Sequence, residues 1–326
     1  MIHQKTNAEL LKEFDKYVIG HTEAKKVLIS LVNRSKTAHY YKYLAPMYGD
    51  KFEDVETVSA MLIGKSGTGK TFLINTLKKL VDFPLVCVDA TTLEPAGGSN
   101  SADAQSVLDA IVHNAQELVE TPDNAYFSLE ATVDQTVVFI DEIDKLAKPF
   151  ESTGNWNKMI QSGLLGILEN NEQFSKVSFV LAGAFADLKK EHVKVTSMGF
   201  HKAETAVQED LTITDKDIVK YGLMPELVGR LSNVVTLEEL TAKTMKTILN
   251  TVLLPAKVKE LSLMGITVPD RLDRETESRI IKISMDSEQG VRSLKRELTK
   301  IFNDLEFSYE ERGEILLLPP GAKLVL

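Results

Sequence analysis

The stretch Val58-Ser59-Ala60-Met61-Leu62-Ile63 is an apolar run of strand type, and it ends directly in Gly64-Lys65-Ser66-Gly67-Thr68-Gly69-Lys70-Thr71. From Phe72 to Leu80 the spacing turns amphipathic and helical. Few patterns constrain a fold so tightly as strand, glycine-rich turn and helix in immediate succession. The glycines let the backbone curl so that successive N–H groups point inward, and a helix starting near Lys70 aims its positive end the same way. Such a cradle suits phosphate oxygens. Lys70 would add a full charge at the β and γ phosphates, and Thr71 a hydroxyl ligand for magnesium. A chance glycine-rich turn is the bland alternative, and the flanking strand and helix argue against it. A nucleoside triphosphate is therefore expected at Gly64, Ser66, Gly67, Thr68, Gly69, Lys70 and Thr71, with Phe72 next in the helix.

Further along, Leu85 to Asp89, Val137 to Ile140 and Val177 to Ala182 read as strands, alternating with helical spacing over 101–119 and 157–169. Short, nearly continuous apolar strands between helices predict an α/β fold whose parallel sheet is covered by helices. Two helices, 7–19 and 22–45, precede the first strand, broken at Gly20, with Thr22 the expected N-cap. From Thr241 onward the pattern becomes helical, over 241–261, 273–286 and 290–306, before short strand-like runs at Glu314 to Leu318 and Lys323 to Leu326. This change predicts two domains, a nucleotide-binding one over 1–237 and a small, mostly helical one over 238–326.

A second acidic signature falls at a strand end. Val137-Val138-Phe139-Ile140 runs into Asp141-Glu142, at the carboxyl edge where open α/β sheets bind ligands. Asp141 can hold a magnesium complex, and Glu142 can orient the water that attacks the γ-phosphate. Hydrolysis also needs positive charge on the transition state. Arg230, in Gly222-Leu223-Met224-Pro225-Glu226-Leu227-Val228-Gly229-Arg230-Leu231, and Arg292, in Gly290-Val291-Arg292-Ser293-Leu294, are the candidates.

With these blocks in order, the chain resembles the ClpX/HslU branch of the AAA+ P-loop NTPases, and ClpX-type protein unfoldases in particular, which implies a five-stranded parallel sheet covered by helices and followed by a small, mostly helical domain. Tyr17-Val18-Ile19-Gly20-His21, the phosphate loop, Val88 to Leu93, Asp141 to Lys145, Ala182 to Phe185 and the two arginine blocks carry the likeness over about residues 8 to 310. The resemblance implies that Val18 and Ile19 line the adenine pocket, that Arg230 is an arginine finger reaching a neighbouring subunit's ATP, and that Arg292 is the sensor arginine of the small domain. An arginine acting in trans implies a ring, by similarity a hexamer that unfolds or remodels protein substrates with ATP and Mg2+.

The chain also departs from that family. The family carries a cysteine zinc-binding domain ahead of the ATPase core, and none is expected here, since these residues hold a single cysteine. The segment matching the aromatic pore loop reads Glu94-Pro95-Ala96-Gly97-Gly98-Ser99-Asn100-Ser101, without an aromatic residue, and the second pore loop is short. Trp156, the one tryptophan, could grip in its place, although a lone aromatic at a helix start more often packs onto its own domain. Met198-Gly199-Phe200 lies where the family carries a tripeptide that docks a ClpP-type peptidase.

The chain has 326 residues, 43% hydrophobic and 26% charged, with a formal charge of -9, which provides no global attraction to nucleic acid or anionic membranes. A nucleic-acid motor or helicase loader is the alternative reading, and this charge counts against it. The one cysteine, Cys87, is expected to be a buried core residue and excludes an intrachain disulfide. No apolar leader or run of membrane-spanning length is visible, so the cytoplasm is expected.

Overall fold

In the computed structural model the described residues are 5–49, 55–81, 83–93, 104–120, 128–147, 156–169, 176–186, 188, 213–263, 266, 268, 270–287 and 289–311. Five strands, β1 (Ala60–Ile63), β2 (Leu85–Asp89), β3 (Val137–Asp141), β4 (Ser178–Gly183) and β5 (Asn233–Thr236), pair in parallel in the order β2-β3-β4-β1-β5. Every residue of β1 and β4, and all of β3 up to Asp141, is buried. Because strand side chains alternate between faces, such runs need cover on both sides of the sheet. The register aligns Ile63 with Gly183 and Thr236, and Asp89 with Asp141, so the carboxyl ends form one edge.

The helices are α1 (Asn7–Phe14), α2 (Thr22–His39), α3 (Lys70–Leu80), α4 (Ala104–Val119), α5 (Leu129–Asp134), α6 (Trp156–Glu169), α7 (Asp215–Tyr221), α8 (Pro225–Gly229), α9 (Ala242–Ile248), α10 (Leu254–Leu263), α11 (Arg274–Asp286) and α12 (Val291–Glu311). No helix among the described residues is long and apolar enough to cross a membrane.

By contact density the chain divides into two compact units. Met1–Phe14, His21–Lys65 and Lys70–Leu237 form one, and Asp15–Gly20, Ser66–Gly69 and Glu238–Leu326 the other. The first buries Met61, Ile63, Val138, Ile140, Phe179 and Leu181 of the sheet against Ile111, Ile160 and Leu164 of the helices. The second buries Met245, Leu249, Leu261, Ile280, Leu294 and Phe302, with Ile19 and Leu240 packed on them.

Several expectations change in detail. Helix α2 is capped by His21 in the left-handed conformation (φ 57°) rather than by Thr22, which is its first helical residue. It then runs through a π turn at Tyr40–Leu44 and a 3-10 turn at Ala45–Tyr48. Another π turn, Leu249–Leu253, joins α9 to α10 within the long helix expected over 241–261. Helix α5 has only six residues, too few to show a period in sequence, and its N-cap Ser128 accepts a bond from Ala131 N–H. Cys87 is exposed, because it lies on edge strand β2, where only Leu85 and Val86 are buried. Trp156 is also exposed, at 52%, contrary to its expected packing. The pore-loop segment 94–101, the tripeptide 198–200 and the carboxyl-terminal strand-like runs lie outside the described residues.

Candidate functional site

At the edge of β1 the Gly64 N–H donates to the Gly183 carbonyl of β4 (3.1 Å), and Leu237 N–H, just beyond β5, donates to Ile63 O (2.6 Å). These bonds fix where the strand stops and the glycine-rich turn begins. Lys70 opens α3 and folds its ammonium back onto the turn, donating to Gly64 O (2.6 Å) and Lys65 O (3.3 Å). Thr71 follows, and its hydroxyl donates to Asp141 Oδ2 at 2.7 Å. The other oxygen, Oδ1, accepts from Glu142 N–H at 2.9 Å. Both oxygens of Asp141 are thereby oriented.

Glu142 has φ 58° and ψ 30°. The left-handed region costs a residue with a side chain on the order of 1–3 kcal/mol and is tolerated where the surroundings enforce it. Here it turns the chain sharply out of β3 into the 3-10 turn Ile143–Leu146 and leaves the Glu142 carboxylate exposed. Asp144 anchors that turn from beneath. It is buried, and its Oδ1 accepts the Ala184 N–H (3.0 Å), linking the carboxyl ends of β3 and β4. An ammonium, a hydroxyl and two carboxylates on one sheet edge suit phosphate binding and the activation of water.

Arg230 caps helix α8, and its Nε and Nη2 both donate to Glu169 Oε1, at 2.8 and 2.6 Å. Its side chain is 55% exposed. Phe72 is half-exposed on the first turn of α3.

The second unit holds the remaining candidates. Ser66 Oγ accepts from Arg292 Nη1 at 3.3 Å, and the Gly67 carbonyl accepts from Val291 N–H at 3.2 Å. Gly67 has φ +75°, and a Cβ there would fall 1.9 Å from the Gln289 carbonyl oxygen, so no other residue fits this approach. Thr68 is buried, Val18 is buried and Ile19 packs on the helical core.

Sequence reasoning missed Gln161, Glu169 and the anchoring part of Asp144. One signal for Gln161 was available: it shares the buried face of α6 with Ile160, Leu164 and Ile167, where an amide needs partners. Glu169, the last residue of its helix, carries no such mark.

A parallel sheet with a glycine-rich turn at β1, a threonine–aspartate pair and an adjacent glutamate defines a P-loop nucleoside triphosphatase. The model of the AAA domain (Cdc48 subfamily) family matches residues 55–234, more than half of the chain, and the chain belongs to that family. Among its relatives is the ATP-dependent Clp protease ATP-binding subunit ClpX 2 of Wolinella succinogenes, 29% identical over 96% of this chain and 80% of the relative. The ClpX subunit of the same protease from Treponema denticola is 27% identical, again over 96% of this chain and 80% of the relative. The chain is thus a ClpX-like AAA+ ATPase, and ATP is its nucleotide.

Proposed function

We propose that this chain works as a ring, by similarity a hexamer, that hydrolyses ATP at subunit interfaces to unfold or remodel proteins. The observation that carries the reading is the carboxylate set at the sheet edge, with Asp141 held between Thr71 and its own neighbour Glu142. In this mechanism Lys70 leaves the carbonyls of Gly64 and Lys65 to meet the β and γ phosphates, while the N–H groups of Ser66, Gly67, Thr68 and Gly69 surround them and Gly64 starts the turn. Phe72 and the pair Val18 and Ile19 lie toward the base and sugar. Glu142 accepts a hydrogen bond from the attacking water and orients it in line with the γ-phosphorus. Arg230 of a neighbouring subunit stabilises the charge that spreads over the γ-oxygens, and Arg292 senses the nucleotide from the small domain.

Thr71 Oγ1 and Asp141 Oδ2, 2.7 Å apart, are hard oxygen donors of the kind Mg2+ takes, and these two residues would hold it. When bound, the ion neutralises charge on the β and γ oxygens. In this reading a large nucleotide-binding domain spans 1–237 and a small domain 238–326, whereas the second compact unit also gathers Asp15–Gly20 and Ser66–Gly69. The names of the relatives support protein substrates and a ClpP-type peptidase partner, docked through Met198, Gly199 and Phe200.

The test uses purified protein with ATP and magnesium. Lys70→Ala should abolish nucleotide binding, and Glu142→Gln should bind ATP without turning it over. The Glu142→Gln protein, held with ATP, should retain protein clients in a pull-down. Normal turnover in that variant would overturn the mechanism, and capture of nucleic acid in place of protein would overturn the substrate class.

A further inference from the structure

Helix α6 carries polar side chains that the hydrolytic set does not use, and Gln161 and Glu169 among them make strong hydrogen bonds to the segment that bears Arg230. Gln161 is 1% exposed. Its Nε2 donates to Leu146 O at 2.8 Å and to Gly222 O at 3.4 Å, while its Oε1 accepts from Met224 N–H at 2.7 Å. Leu146 closes the 3-10 turn that starts immediately after Glu142. Met224 is the N-cap of α8, and Arg230 is that helix's C-cap. A single buried amide therefore bridges the backbone behind the hydrolytic glutamate and the short helix that presents the arginine. At the other end of α6, Glu169 takes the guanidinium itself.

Packing alone does not account for this glutamine, since an apolar side chain would fill the same helical face without needing three backbone partners. The Arg230–Glu169 pair is largely exposed, and pairs of that kind add little stability. Its effect is on where the guanidinium points.

We propose that Gln161 is a positioning residue for Arg230. It ties helix α8 to the turn behind Glu142 and so fixes the aim of the arginine at the next subunit's phosphates. Glu169 holds the guanidinium in its resting direction. The inference rests on the reading of Arg230 as an arginine acting on a neighbour.

The experiment uses mixed rings of full-length chains. Lys70→Ala subunits offer Arg230 but bind no nucleotide, and Arg230→Ala subunits bind nucleotide but offer no arginine, so mixing them should restore part of the ATPase rate. Adding Gln161→Met to the Lys70→Ala subunit removes the amide from a subunit that cannot itself hydrolyse ATP. The restored rate should then fall on the order of tenfold to a hundredfold, as expected when a reacting group is displaced by about 1 Å. Restoration equal to that of Lys70→Ala alone overturns the role of Gln161 and leaves the trans arginine standing. No restoration by Lys70→Ala itself overturns the trans reading, and this inference with it. Should Gln161→Met lose its folded circular dichroism spectrum, Gln161→Asn, which keeps the amide and shortens its reach, decides in its place: a lowered restored rate supports the proposal and an unchanged one overturns it.

Discussion

Asp141 and Arg230 stand on different footings although both belong to the proposed ATPase machinery. Asp141 is fixed from both sides, by Thr71 and by the backbone of Glu142, at the end of a buried strand. Arg230 follows a five-residue helix, is 55% exposed, and is paired with Glu169 at the surface. The first is a group set in place by its own sheet edge. The second is held at the surface by one carboxylate of its own chain, which it would leave in the proposed role of reaching a neighbouring subunit. In the proposed ring, the contrast separates what one chain fixes for itself from what it would offer to another.

The sharpest way to break this contrast is Arg230→Ala. Loss of an arginine that stabilises phosphoryl-transfer charge costs on the order of 10³-fold or more in turnover. Nucleotide affinity should remain close to wild type, because the variant's own sheet edge is untouched. Steady-state ATPase together with equilibrium binding of a fluorescent ATP analogue separates the two. Wild-type turnover would return Arg230 to the status of a surface ion pair.

A smaller effect tests how firmly the arginine segment is tied to the turn behind Glu142. Gly222 has φ +126°, and a Cβ there would lie 2.0 Å from the Ala147 carbonyl oxygen. Gly222→Ala therefore meets both backbone strain and a clash with backbone. A loss of about 3 kcal/mol is expected. Urea unfolding should show a lowered midpoint at unchanged slope. An unchanged midpoint would mean that this contact is loose and that the segment is not tied there.

The contrast also marks how far the amino-acid sequence could be read. The sheet was legible because β1, β3 and β4 are continuous apolar runs, and the phosphate turn because its chemistry is local, within eight consecutive residues. Asp141 and Glu142 were legible for the same reason. What escaped depends on distant partners. Gln161 gains its meaning from carbonyls and amides 15, 61 and 63 positions away. Cys87 was misjudged because an edge strand and a central strand read alike when the order of strands is unknown. Trp156 looked like a packed aromatic, yet the first turn of α6 leaves it outside the core.

The smallest predicted effect belongs to a pinned cluster in the same unit that takes part in neither half of the contrast. Asp134 is fully buried and accepts from Lys42 Nζ (2.5 Å) and Tyr43 O–H (2.7 Å). His39 lies buried nearby, with its ring 5.4 Å from that of Tyr43. Burial pushes the imidazole below its ordinary 6.5, and the Asp134 charge only partly opposes this. As pH falls below 6.5, the unfolded chain takes up a proton that the folded chain still refuses, so stability declines through the window between 6.5 and the lowered value. Above 6.5 this group contributes no slope. Unfolding free energies measured from about pH 7.5 down to about pH 5.5 should therefore fall more steeply for the wild type than for His39→Asn. Parallel curves would show that His39 titrates normally and that the cluster resists acid as well as the fixed carboxylate edge does.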